Sequence, residues 1–510
     1  MRVLKVILSC LIFTVLKPIP ALADPLDFLP FVSIPTLSSP RGIAVGNFFG
    51  KETLGLAVAD FGSPTFIGQT TPATVLSPRN YGVQVFSASP TGLKLNQFIQ
   101  TAASPRGVFA FDLSNKGKQD LLVTAYDANL LQVFSWEGDQ FTKTSEQSTL
   151  TMPVGVAAGS TSSHGTLFAA VADFGSNNLS LFQIKQGKLG DRVDIPVGAG
   201  PVQVAIGNLT GDEGNEIAVG CLISHQIIIL SKKGMEGDLS SYSASQTLTQ
   251  PEGCEPSDLR IADINSDGKM DLVCVDFQKN LLFIYLQGKD GVLAPQAPVT
   301  TSGSHPNGLT VADLKGDGTK EVIVGNRDSD SIDLFQWSGN GLQLEKSLKV
   351  ANDAVSNFGP VEIAAMDTTG QGKQDLVASH MRSNSIRVLT QAVQVASSNS
   401  TIKTQLLGSD TEGAPFSEKT TICYPNPSRD GRVKISFNLP ALSPVNIQIF
   451  DISGEVVWSL NLSPSQTQAG NNTITWEGNN QAGENLASGM YLCHVTVGDS
   501  SVTKKIAILH

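Results

Sequence analysis

Four oxygen-bearing side chains alternate between residues 263 and 271. Asp263, Asn265, Asp267 and Asp271 stand at positions 1, 3, 5 and 9 of one loop, with Gly268 at position 6. Ca²⁺ takes about six to eight oxygen ligands at ~2.3–2.6 Å, so such residues must curl around one point to hold it. A glycine at the sixth position permits the sharp turn, and the backbone carbonyl of Lys269 can then face inward as a further ligand. This spacing predicts a calcium site. The competing reading is a hairpin rich in Asx turns that holds no metal.

Related loops occur elsewhere in weaker form. Asn208, Thr210, Asp212 and Glu216 keep oxygens at all four positions but lack the glycine, and are candidates for a second ion. Asp313, Asp317 and Glu321 surround Lys315 at the third position, and Asp112 and Asp120 flank Lys116 at the fifth. An ammonium among carboxylates replaces a cation, so these two loops are predicted to be metal-free. Asp367 and Asp375 are the only carboxylates of a further copy.

The loops belong to a larger period. Pro40, Pro105, Pro153, Pro201, Pro256, Pro306 and Pro360 are each followed, seven residues later, by a polar or acidic residue. The spacing of roughly fifty residues marks a repeat architecture. Within each unit, short runs of Val, Ile, Leu and Phe are bounded by Gly, Asn, Asp and Ser, the pattern of strands rather than helices. Four strands per unit and seven units predict an all-β, seven-bladed β-propeller over residues 24–391. Residues 27–37 resemble a fourth strand without a unit of its own. They are expected to complete the last blade and so hide the ring's open edges.

Five residues beyond each loop's ninth position, the second strand ends on the opposite face. The residues there include Asp60, Asp173, Asp276, Asn326 and His380, a candidate polar face for a glycan or protein ligand. Turn chemistry is the plainer account of Asp and Asn at such ends. A Pro- and Thr-rich insertion, Gly62–Tyr81, extends the first unit on that face and is a second candidate binding element.

Composition narrows the function further. The chain of 510 residues carries a net charge of −11, which becomes −14 once Arg2, Lys5 and Lys17 are removed. No basic patch of the kind that neutralises phosphates is evident, which argues against nucleic acid as a partner. Residues 1–23 combine two early basic residues, an apolar run and Ala21-Leu22-Ala23, the pattern of a secretory signal peptide. No other segment reaches the ~20 apolar residues of a transmembrane helix. Six scattered histidines and the absence of a nucleophile or phosphate-loop motif favour a binding module over an enzyme. The alternative is a polysaccharide-degrading enzyme using His380, a rim aspartate and calcium, or the binding scaffold of one.

Residues 392–421, rich in Ser, Thr and Gln, read as a linker. From residue 422 the pattern changes to about seven short alternating strands in ~90 residues, which predicts a small Ig-like antiparallel sandwich. Cys423 and Cys493 are candidates to pair within it.

The succession of proline, strand, D-x-[DN]-x-D-G-x-x-D loop and apolar strand resembles FG-GAP/VCBS repeats of the integrin-α type. That resemblance implies a seven-bladed propeller with calcium in some of its loops, and no single activity. The string Tyr424-Pro-Asn-Pro427, then Val445–Phe450, Trp476-Glu-Gly478 and Gly489-Met-Tyr491 is similar to the C-terminal sorting domain of type IX secretion cargo. It is also similar to the Ig-like domain of flagellar hook-cap proteins. The first likeness implies a partner in the secretion machinery and a secreted or cell-surface protein; the second leaves an inert spacer as the alternative.

Overall fold

The computed structural model describes residues 26–29, 31–50, 54–62, 81–90, 92–351, 359–392, 416–417, 420–428, 431–451, 456–480, 484–497 and 500–509. The expected signal peptide lies outside them, as do nearly all of the Gly62–Tyr81 insertion and most of the 392–421 linker. The chain forms two compact units, residues 1–395 and 396–510.

The first unit is a seven-bladed β-propeller, as the period predicts. Each blade is an antiparallel sheet, and in the first six the strands follow chain order from the axis outward. Blade 2 is representative, with strands Pro105–Phe111, Asp120–Ala125, Leu130–Glu137 and Gln140–Ser148. In blade 5 the outer strand is split into Leu293–Pro295 and Val299–Thr300, both paired to Leu281–Gln287. The second strands are buried along their whole length, which accounts for runs such as Asp271–Asp276 having no polar alternation. Apolar side chains from adjoining blades pack into shared clusters. One of these places Leu272 and Phe283 of blade 5 against Ala218 and Ile229 of blade 4.

The ring closes as expected. Val32–Pro35 pairs antiparallel with Ser385–Leu389, so the N-terminal segment supplies the outer strand of blade 7. A further bridge joins Phe28 to Gln391. Seven blades are thereby held by hydrogen bonds between the two ends of the repeat region, and no sheet of the ring is left a strand short.

The innermost strands explain the recurring prolines. In the first six blades each begins at a proline and the pairing register slips just after it, a β-bulge, whereas in blade 7 the strand starts at Ile363, three residues after Pro360. The residue two places on is glycine in four blades: Gly42, Gly107, Gly155 and Gly308. A Cβ at Gly107 would lie 2.3 Å from the Val154 carbonyl oxygen, and one at Gly42 would lie 2.5 Å from that of Arg106. Neighbouring inner strands thus meet backbone to backbone around the axis.

Blades 4, 5 and 7 place Gln203, Asp258 and Glu362 at the equivalent position. These side chains form one polar network with Arg260. Gln203 Nε2 donates to Asp258 Oδ1 at 2.8 Å, and Arg260 donates to both Asp258 and Glu362. Burial pushes the Glu362 carboxyl up to about 8 and the Asp258 carboxylate adds to this, while Arg260 opposes both. Each buried member is satisfied by another, which such a network requires.

The second unit is a two-sheet sandwich of seven strands. One sheet holds Ile422–Tyr424, Val433–Leu439 and Gly470–Trp476. The other holds Val445–Phe450, Val456–Leu462, Gly489–Val497 and Ser500–Ile508. Trp476 is buried at its centre against Ile435, Phe437, Ile447 and Ile506, and its indole N–H donates to the Asn479 carbonyl at 2.9 Å. Cys423 and Cys493, the candidates to pair, are both free thiols.

Overpacking at the axis gives a direct test of this architecture. Gly107→Ala is expected to lower stability by about 1–3 kcal/mol, read as a lower urea midpoint. An unchanged midpoint would show that the inner strands part freely to admit a methyl group.

Candidate functional site

The blade 5 loop joins Pro256–Ala262 to Asp271–Asp276. It is closed by its own acidic side chains. The Asp267 N–H donates to Asp263 Oδ1 and to Asn265 Oδ1, each at 3.1 Å. The Gly268 N–H donates to Asp263 Oδ2 at 2.9 Å, and the Lys269 N–H to Asp267 Oδ1 at 3.0 Å. Gly268 has φ +83°, the left-handed conformation for which its place in the loop selects glycine. Asp271 is buried beneath this turn. Burial raises its carboxyl to about 6, and the nearby charges of Asp267 and Asp263 push in the same direction.

The donor types and the tight turn suit a calcium ion, and the repulsion felt by Asp271 is one that a divalent cation offsets. The side chains are nevertheless engaged with backbone N–H groups. Among the described residues, no three His, Cys, Asp or Glu side chains are grouped closely enough to hold a metal.

The ninth-position carboxylate has a role that the metal pattern concealed. In five blades it is buried and accepts the N–H of the residue just after the loop's first position. Leu113 donates to Asp120 at 3.0 Å, Leu209 to Glu216 at 2.9 Å and Ile264 to Asp271 at 3.3 Å. Leu314 donates to Glu321 at 2.9 Å and Thr368 to Asp375 at 3.0 Å. Asp271 and Asp375 also accept from the third strand, from Gln287 at 2.9 Å and Gln391 at 2.8 Å. Each carboxylate therefore latches its loop to its own blade by hydrogen bonds alone. The spacing was legible in sequence, but its metal-independent part was not.

The weaker loops diverge from one another. In blade 4, Gly211 donates to Asn208 Oδ1 at 2.6 Å and Gly214 to Asp212 Oδ1 at 2.7 Å, while Thr210 donates its N–H to Glu216 at 3.1 Å. In blade 6 the Lys315 ammonium lies 3.4 Å from Glu321 and 2.8 Å from Glu345, as expected of a built-in cation. Lys116 of blade 2 is exposed and makes no ion pair of that kind among the described residues.

On the opposite face, the five residues expected to display polar groups are buried, each 0 % exposed. They serve the ends of their own strands. Asp173 accepts from the Ser180 hydroxyl at 2.6 Å, and Asp276 accepts from the N–H groups of Lys279 and Glu255. Asn326 donates to the Ser331 hydroxyl at 3.2 Å. Asp60 lies near the Thr36 hydroxyl and the Leu37 and Ser38 amides, without a well-formed hydrogen bond to any of them. Neither ring nitrogen of His380 has a hydrogen-bond partner, and burial lowers its pKa to about 3, with Arg387 adding to the effect. His380 is therefore neutral near pH 7. These side chains are not presented at a surface, because the second strand is covered on both sides until its last residue.

The residues that do line this face come one position later. Phe61, Tyr126, Phe174, Leu222, Phe277, Arg327 and Met381 follow the seven strand ends, and all seven are half-buried. This ring was visible in the repeat at a one-residue offset, hidden by attention to charged and polar types. Inside it, a cavity of about 530 Å³ runs along the axis between the seven inner strands.

Burial also raises Asp60 and Asp173 to about 7 in the fold. A carboxyl whose pKa is higher folded than unfolded stabilises the protein below pH ~4 and loses that contribution as pH rises toward 7. Asp173→Asn should therefore reduce the fall in thermal stability between pH 4 and pH 8, by as much as about 4 kcal/mol. Parallel melting curves for the two proteins across that range would show that Asp173 is ionised in the fold.

Comparisons with known proteins agree with the architecture. No curated protein matches the chain. The crystal structure of BBS1N in complex with ARL6DN, soaked with lead, has a TM-score of 0.50 at 14 % identity, covering 72 % of this chain and 98 % of that one. The periplasmic gluconolactonase PpgL of Pseudomonas aeruginosa has a TM-score of 0.46 at 16 % identity, with coverages of 60 % and 85 %. A putative 6-phosphogluconolactonase of Bacteroides fragilis has 0.43 at 16 %, with coverages of 62 % and 96 %. The first of these likenesses, at a TM-score of 0.50, is one of fold only. Family models match two segments, an FG-GAP-like repeat over residues 263–324 and a secretion system C-terminal sorting domain over residues 422–509. Among the described residues no helix is long and apolar enough to cross a membrane. The chain is thus a seven-bladed β-propeller with an FG-GAP-like repeat over residues 263–324, and its type IX sorting domain over residues 422–509 marks it for export to the bacterial cell surface or beyond.

Proposed function

We propose that the exported propeller is a binding or adhesion module, and that calcium at the blade 5 loop stabilises it. The observation that carries the binding reading is the axial cavity and its half-buried ring of Phe61, Tyr126, Phe174, Leu222, Phe277, Arg327 and Met381. A concave site of this size, lined by inner strands that present both polar and apolar groups, falls within the range of small-ligand pockets. The ligand is an extracellular glycan or protein group that enters at the strand-exit face. Asp60, Asp173, Asp276, Asn326 and His380 support that face from beneath rather than touching the ligand. Residues 1–23 act as the signal peptide and 392–421 as the linker between propeller and sorting domain.

Calcium would be held by Asp263, Asn265, Asp267 and Asp271 with the Lys269 carbonyl. The blade 4 set of Asn208, Thr210, Asp212 and Glu216 is a weaker second site. The support for the first is the donor chemistry, the left-handed Gly268 and the convergence of negative charge on Asp271. Catalysis draws little from the site. His380, the residue on which a polysaccharide-cleaving alternative would rest, is fully buried.

Calcium that binds the folded loop and not the unfolded chain stabilises by mass action, about 2.7 kcal/mol at a hundredfold excess over Kd. Thermal unfolding with calcium is therefore expected to occur at a higher temperature than with a chelator, and Asp267→Ala should abolish most of the difference. Identical wild-type melts in the two conditions would remove calcium from the account.

A further inference from the structure

We propose that the mouth of the axial cavity is an anion site, formed by Arg41, Arg106 and Arg327, that takes a small oxyanion-bearing ligand. This inference deepens the binding reading above and rests on it.

The three arginines reach one place from two kinds of position. Arg41 and Arg106 directly follow the prolines that open the inner strands of blades 1 and 2, while Arg327 directly follows the second strand of blade 6. Inner-strand start and second-strand end are register partners, as in Pro40 with Asp60 and Pro306 with Asn326. The three guanidiniums therefore share the strand-exit end of the propeller, and all three line the cavity.

Each is held in place by an aromatic ring of the half-buried circle. Arg41 lies 4.8 Å from the centroid of Phe61, Arg106 lies 5.2 Å from Tyr126, and Arg327 lies 4.3 Å from Phe277. Phe61 and Tyr126 pack together at 5.9 Å, so Arg41 and Arg106 rest on a common platform. Stacking occupies the face of a guanidinium rather than its N–H edge, and it is the edge that meets carboxylate or sulfate.

The charge of Arg41 is poorly compensated from within. The acidic residues lining the cavity are Asp258 and Glu362, and both are bound by Arg260 deeper along the axis. Asp328 takes Arg327 Nε at 2.8 Å and is shared with His305 at 2.9 Å. Arg41 has no ion pair within reach among the described residues, and its Nε is buried without a hydrogen-bond partner. Burial lowers the Arg41 pKa to about 10, with the charges of Arg106 and Arg327 adding to the effect, so the cluster repels itself while remaining protonated at neutral pH. In a protein with a net charge of −11, three cations gathered in one recess are costly unless something binds there. A bound oxyanion would offset the repulsion and satisfy the orphaned Arg41 donor.

Two sources share that chemistry, a free organic or inorganic acid and an acidic sugar at the end of a glycan. Isothermal titration of the full chain at low ionic strength, with citrate, sulfate and a galacturonic acid trimer, separates them. Saturable binding of at least one of these is expected. Weakening by about tenfold for each guanidinium removed is expected in Arg41→Gln and Arg106→Gln, with partial recovery in Arg106→Lys. Citrate or sulfate binding alone would assign the site to free acids, and trimer binding at higher affinity would assign it to acidic glycans. Circular dichroism and the thermal midpoint of each variant establish that it folds. If neither Gln variant folds, the double-Lys protein, which keeps both charges and loses both forks, is expected to bind about tenfold more weakly than wild type, a few-fold for each fork lost. No binding by wild type, or equal binding by wild type and folded variants, would overturn the anion site. A glycan array distinguishes the two failures. Neutral glycans retained by wild type and variants alike would leave the binding face intact without its anion chemistry, whereas silence on the array as well would remove the binding reading itself.

Discussion

The structure depends on how closely seven inner strands can approach one axis. Gly42, Gly107, Gly155 and Gly308 let adjacent strands touch backbone to backbone, at separations where a Cβ would lie 2.3 to 2.9 Å from the next strand. Proline before the bulge fixes the chain's entry, and the bulge turns the strand toward the axis. Where glycine is replaced, the larger side chain cannot be apolar and idle. Gln203 instead donates to Asp258, and Arg260 joins Asp258 to Glu362. The hub is therefore crowded at blades 1–3 and 6 and polar at blades 4, 5 and 7. The cavity is what remains between these two solutions.

That hub separates the two faces of the ring in function. On one face, buried carboxylates tie each loop to its own blade, a task they perform without an ion. A metal at the blade 5 loop would add to a structure already latched by Asp271. This explains why Asp120, Glu321 and Asp375 persist in loops whose other ligand positions are poor or filled by lysine. On the other face, Asp60, Asp173, Asp276, Asn326 and His380 are buried at the strand ends, and of the residues that follow the strand ends Leu222, Arg327 and Met381 line the recess.

The fold was legible because its determinants are periodic. The prolines, the loop glycines and the short apolar runs recur at one spacing, and the displaced N-terminal strand could be assigned by counting. The seven strands of the C-terminal sandwich followed from simple alternation, because one face of each sheet is buried. The candidate site was less legible. Alternating oxygens between residues 263 and 271 identify ligand chemistry, but they do not say that the last of them is buried and bonded to the backbone. Likewise, Asp and Asn at strand ends look like a polar surface until burial is known. The aromatic residues that follow them look like core. Arg41, Arg106 and Arg327 lie far apart in sequence and belong to different elements, so only the register of inner and second strands brings them together.

This division of labour is the central claim, and hydrogen–deuterium exchange on the full chain with and without calcium tests it most directly. The account predicts added protection confined to the blade 5 loop and the strands it joins, residues 256–276, with the strand-exit segments around Arg41, Arg106 and Arg327 unchanged. Protection spreading to those segments would show that the ion organises the binding face as well, and would contradict the account.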